Sequence, residues 1–163
     1  MAELWDLYDV NRNPLGRTHE RGKPIRAGEY HIVVQICVQD AKGRLLMTRR
    51  HPDKVDGCKW EVTAGSALAG EDSATGALRE LREETGLSVS GERMKPFFSR
   101  LGEDYFFDSY LVQLDEDGEN VRLTMQEGET TDYIWADYET QEQMERDGLL
   151  VLIAREARTH MKR

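Results

Sequence analysis

Apolar and polar positions divide this chain into short segments of contrasting periodicity. WDLYDV (5–10) reads as a short strand, and the Asn, Pro and Gly of NRNPLG behind it mark a turn. Residues 17–29 are polar, carry Gly and Pro, and read as a loop. HIVVQICVQ (31–39) is rich in β-branched residues and reads as a buried strand. AKG is a turn signal, and RLLMTRR (44–50) is the return strand of a hairpin. HPDKVDGCK is loop, and WEVTAG (60–65) is a short strand running into a glycine-bounded turn.

A helix follows. Ala74, Ala77, Leu78 and Leu81 make an apolar stripe at helical spacing, with Asp72 or Ser73 in place to cap its start. Gly86 suits the left-handed residue that ends a helix, with Leu87 as its apolar partner. Strand-like runs come next, at MKPFFSR, YFFDSYLVQL, NVRLTM and TDYIWAD, with DEDG as a turn. ETQEQMERD and LLVLIAREARTHM are helical in character. Hairpins mixed with crossovers favour an α/β or α+β sandwich around a mixed sheet over a doubly wound parallel one.

Composition narrows the function classes. At 163 residues the chain fits one domain, with residues 1–29 as an N-terminal strand and loop extension. A net charge of −9 argues against a protein whose main work is gripping nucleic acid through its phosphates. It leaves room for a small phosphorylated substrate, because divalent cations can stand between acidic side chains and phosphate. No apolar run is long enough to span a membrane, and MAELWDLYDVNRN is not a secretory signal. Cys37 and Cys58 lack metal-type spacing and read as reduced thiols of a cytoplasmic protein. The WDLYDV strand leaves a homodimer open, since it can pair across two copies as readily as within one.

One stretch of the helix, RELREETG (79–86), crowds its acids. Glu80, Glu83 and Glu84 share one side, and like charges at that spacing cost a few tenths of a kcal/mol each, roughly, in an isolated helix. The turn before it, TAGSALAGE, lets backbone come close through Gly65 and Gly70. Carboxylates beside such a turn suit a hard cation. Mg²⁺ or Mn²⁺ prefers oxygen ligands, and Mg²⁺ usually bridges to substrate phosphates. A bound dication replaces the mutual repulsion with attraction to a common centre.

The spacing extends beyond the glutamates. Gly65, five residues, Glu71, seven residues, Arg79-Glu80-Leu81, one residue, Glu83-Glu84, one residue, Gly86-Leu87: this resembles the signature box of the Nudix hydrolase superfamily at every defining position. Such a match arises by chance on the order of 10⁻⁸ per start position. The resemblance implies a Nudix-type α/β/α sandwich with a mixed central sheet. It also implies Mg²⁺-dependent, or Mn²⁺-dependent, hydrolysis of a diphosphate linkage in a small molecule such as a nucleoside diphosphate derivative. By position, Glu80, Glu83 and Glu84 correspond to the metal-binding and catalytic glutamates, with Glu80 as ligand, general base or both. The carbonyl of Ala64 is a further ligand, Arg79 orients a glutamate, and Glu71 is structural. Glu129 is the candidate for an additional acid from a later loop, with Glu127 second. Arg49, Arg50 and Lys54, with Arg44, are candidate phosphate contacts, although Arg49 and Arg50 alternate faces in a strand. Trp60, Tyr30 and Phe106 are aromatic rings able to stack on a base or to fill the core.

Two other readings compete. The N-terminal block through GRLLMTRR is also similar to isopentenyl-diphosphate isomerase, a relative on the same fold. That class uses a cysteine just before the box glycine and a histidine just after it. Here Ala64 and Ser66 stand there, Cys58 lies six positions too early, and His31 lacks companions. The third reading is a non-catalytic module that senses a nucleotide, against which the full glutamate set speaks.

Overall fold

The computed structural model describes residues 1–161. The chain opens with a hairpin of β1 (Leu4–Tyr8) and β2 (Pro14–Glu20), which forms a two-stranded sheet of its own. β1 therefore pairs within its own chain, with Leu4 opposite Glu20 and Trp5 opposite His19. β2 corrects the expected turn and loop. PLGRTHE is exposed along most of its length, so it carries no apolar alternation to announce a strand, and backbone pairing alone defines it.

The larger sheet is built around β3 (His31–Gln39). On one edge β3 runs parallel to β8 (Tyr105–Gln113), which pairs antiparallel with β7 (Met94–Leu101). On its other edge β3 meets β4 (Leu45–Arg50) only at Gln39 and Leu45, and then the two strands part. The expected WEVTAG strand spans that gap as two pieces. β5 (Trp60–Glu61) pairs with β4, Val62 is the buried pivot, and β6 (Thr63–Ser66) pairs with β3, setting Gly65 opposite Val34. β9 (Thr130–Ala136) closes the far edge of β4.

Alternation in β3 fills two cores. Ile32, Val34, Ile36 and Val38 pack with Ala77 and Leu81 of α1 (Ser73–Thr85) on one face. Cys37, with Leu45, Met47 and Val62, packs on the other face against Met144 of α2 (Tyr138–Arg146) and Ala154 and Ala157 of α3 (Leu152–Met161). The result is the expected α/β/α sandwich with a mixed sheet. Fully buried Gln35 donates to the Ile153 carbonyl at 3.0 Å and accepts from Ser109 at 3.0 Å, so that buried amide is satisfied.

The expected NVRLTM strand is absent. Residues after Val121 instead cross the end of α1, where the Thr124 N–H donates to the Thr85 carbonyl at 2.8 Å and the Gln126 N–H to the Glu84 carbonyl at 3.3 Å. Leu123 packs against the first core. Alternating apolar residues here serve a helix terminus, whose last carbonyls need donors.

Candidate active site

α1 is defined by local chemistry. Asp72 accepts from the Thr75 N–H at 2.7 Å, and Gly86, at φ 71°, closes the other end by donating to the Arg82 carbonyl. With Ala77 and Leu81 against the sheet, the glutamates fall on the flank that passes β6. Glu80 lies directly on the backbone of Gly65. A Cβ built there would stand 2.2 Å from the Glu80 carboxyl carbon, so the box glycine is the residue that leaves room for it.

Arg79 organises the group. Its guanidinium donates to Glu71 at 2.8 and 3.0 Å, to Glu80 at 2.9 Å, to Glu83 at 3.0 Å and to the Ser66 carbonyl at 2.9 Å. Glu71 also accepts from the Leu68 N–H at 2.9 Å. Burial works against its charge, yet Arg79 and that N–H hold Glu71 below the ordinary carboxylate value. Glu71 is thus the buckle between the turn and the helix.

Glu84 is different. It is buried, and its Oε2 has no hydrogen-bond partner among the described residues. Burial, then the charges of Glu61 and Glu80, push it well above the ordinary value. Glu80 is raised as well, by burial against the opposing pull of Arg79. Glu61 on β5 is buried too and takes a 2.5 Å hydrogen bond from Arg50.

Glu80, Glu83 and Glu84 line a cleft of about 160 Å³. Gly65, Arg79, Glu80, Glu83 and Glu84 come from the box, Ala64 from just before it, Gln126 and Glu129 from the loop tied across the end of α1, and Lys54 from the loop after β4. Lys54 is ion-paired to Glu129. As placed, no three Asp, Glu, His or Cys side chains among the described residues close into a ready cage, because Arg79 holds Glu80 and Glu83. A larger hollow of about 380 Å³ beside Thr75, Leu78 and Arg82 includes none of the three glutamates.

Arg49 and Arg50 do not line the cleft. Arg49 donates to the Cys58 carbonyl and sits over Trp60, while Arg50 bonds Glu61 and the Val55 carbonyl. Glu127 is exposed outside it. Tyr30 and Phe106 pack on each other at the first core, and among the described residues no aromatic ring lines the cleft. His31 is stacked on Trp5 at 4.1 Å, and burial depresses it to about 4. Sequence reasoning missed Glu61, Glu3 and Arg21. Alternation through Glu61, Thr63 and Gly65 was a signal for the first. Glu3 and Arg21 reach the cleft only through the hairpin pairing.

The NUDIX domain family model matches residues 29–153. The chain belongs to the Nudix family. An uncharacterized Nudix hydrolase of Listeria monocytogenes is 39% identical over 149 residues, covering 88% of this chain and 83% of the relative. Another uncharacterized Nudix hydrolase, from Listeria innocua, is 38% identical over 132 residues, covering 80% and 77%. Among solved structures, a Deinococcus radiodurans protein superposes with a TM-score of 0.72 at 19% identity, covering 91% of this chain and 92% of its own, which is a likeness of fold. A Nudix pyrophosphohydrolase hydrolyses phosphorus-containing anhydrides, and this chain is one.

Proposed function

We propose that the cleft hydrolyses the diphosphate linkage of a nucleoside diphosphate derivative or a related organic diphosphate with the help of Mg²⁺ or Mn²⁺. The observation that carries this reading is the buried, partnerless Oε2 of Glu84 beside Glu80, the latter seated on Gly65. A buried acceptor without a donor is costly, and a hard cation is the partner its oxygen suits. Glu80, Glu83 and Glu84, the Ala64 carbonyl and Glu129 are the donors that would hold it, all lining one cleft. When bound, the dication neutralises the diphosphate and lowers the pKa of water. A Francisella tularensis structure of similar fold, TM-score 0.65 at 15% identity, is described as a bifunctional NMN adenylyltransferase/ADP ribose pyrophosphatase complexed with AMP and Mn ion. It covers 84% of this chain and 42% of its own, and the likeness is one of fold.

In this reading the chain's own groups do the following. Arg79 fixes Glu80 and Glu83 through one guanidinium nitrogen. Glu80, raised by burial, takes the proton of the attacking water. The water oxygen bonds to one phosphorus as the bond from that phosphorus to the bridging oxygen breaks, leaving two phosphorylated products. Lys54 leaves Glu129 for the phosphate. The isomerase alternative finds neither thiol nor imidazole beside Gly65, since Ala64 and Ser66 stand there. Cys37 and Cys58 are unpaired thiols, which supports a cytoplasmic setting.

The test is a panel of nucleoside diphosphate derivatives and organic diphosphates incubated with Mg²⁺ or Mn²⁺, with products identified. Metal-dependent cleavage that disappears in Glu83→Gln is expected. Binding with thermal stabilisation but no turnover would instead establish a sensor.

A further inference from the structure

The N-terminal hairpin places two charges on the cleft that belong to no part of the box. Glu3, next to β1, and Arg21, next to β2, both line it. Their guanidinium and carboxylate are 2.7 Å apart, and the Arg21 N–H donates to the Glu3 carbonyl at 2.9 Å. Glu3 stands close enough for its charge to act on Glu80.

The hairpin is firmly mounted. The Ala69 N–H donates to the Leu4 carbonyl and the Gly70 N–H to Asp6, each at 2.8 Å, within the turn that leads to α1. Tyr8 and Tyr30 exchange two backbone hydrogen bonds at 2.8 and 2.9 Å. Arg12 at the hairpin turn is bound to buried Asp108. Arg21 is thus an exposed cation on a fixed support, at the edge of a site that must accept a polyanion.

Arg21 and Lys54 are the cleft cations available to a ligand, because Arg79 is spent on three glutamates and the Ser66 carbonyl. Each is held by an acid, Glu3 and Glu129 respectively. An exposed ion pair contributes little in water, so Glu3 is a weak holder. The planar guanidinium fork matches phosphate oxygens better than a single exposed carboxylate can hold it in water.

We propose that Arg21 is a substrate-binding residue that exchanges Glu3 for non-bridging oxygens of the substrate's diphosphate. The inference rests on the hydrolase reading and deepens it: the N-terminal hairpin, lying ahead of the matched family segment, becomes part of the phosphate site. The two members of the pair then have opposite effects on binding. Arg21 attracts the substrate, whereas Glu3 competes with it.

The experiment measures kcat and KM on the best substrate of the panel for wild type, Arg21→Ala, Arg21→Lys and Glu3→Gln. It also follows calorimetric binding of methylenediphosphonate in the presence of Mg²⁺. Arg21→Ala is expected to raise KM about 10- to 100-fold, the scale of a charged hydrogen bond, with kcat little changed. Arg21→Lys recovers part of the loss. Glu3→Gln is expected to lower KM, up to about fivefold. The calorimetric affinities should move in the same opposite directions. Equal harm from Arg21→Ala and Glu3→Gln would make the pair a structural clamp, and no change in either would remove Arg21 from the site. Both results overturn the inference while leaving hydrolysis intact. A wild type that cleaves nothing, or a fully active Glu83→Gln, would instead sink the underlying reading.

Discussion

At the scale of single residues, Gly65 and Glu84 make the sharpest predictions. Gly65→Ala puts a methyl where the Glu80 carboxyl now lies. A side-chain end can swing away, so folding should change little, but the carboxylate leaves its position. Hydrolysis is expected to fall by about 10²-fold with Tm nearly unchanged, read by paired assays and melts. Glu80→Gln keeps the shape and removes the base, and should lower kcat about 10²- to 10⁴-fold. For Glu84 the folded-state pKa lies above its ordinary 4.5, mainly through burial. The stabilising contribution of such a group is present below 4.5 and lost as pH rises through the higher folded value. In chelator, Glu84→Gln should therefore melt higher than wild type at pH 8, and the advantage should vanish near pH 4.5. A variant less stable than wild type at both pH values would contradict a buried carboxylate whose Oε2 lacks a partner.

At the scale of elements, α1 was legible in the sequence because its determinants are local. The Asp72 cap, the Ala77 and Leu81 stripe and the Gly86 stop lie within one run of chain. Asp72→Ala should cost about 1 kcal/mol, a fall of about 2–4 °C in Tm, and a melt checks it. The two cores were legible in part, through the runs of β3 and β4. What was hidden depends on distant partners. β2 shows no apolar face, so its pairing with β1 left no pattern to read. The apolar alternation of NVRLTM suits a strand, yet its backbone donors go to the end of α1. Alternation puts Glu61 on one face with Thr63 and Gly65, but only folding sets its charge near Glu84. Arg50, a plausible phosphate contact by sequence, is consumed by that same Glu61.

At the scale of the whole molecule, the chain carries its acids on a frame that folds around an internal cation. Arg79 ties Glu71, Glu80 and Glu83 together, so the box has a counter-charge at hand. Adding Mg²⁺ should still raise Tm, because binding to the native state alone stabilises it by about 2.7 kcal/mol at one hundred times Kd. Glu84→Gln should blunt that rise, and differential scanning fluorimetry across a Mg²⁺ series measures it. No described helix is long and apolar enough to cross a membrane.

The run from Trp60 to Ser66 stitches two diverging strands with Val62 as its single pivot. Side-chain direction flips at each step along such a backbone, so the chain length between Glu61 and Gly65 carries a parity. Lengthening this run by one residue would turn the acid and the glycine to opposite sides. The neighbouring loop of residues 51–59 obeys no such parity, which makes it the natural place for related chains to vary in length.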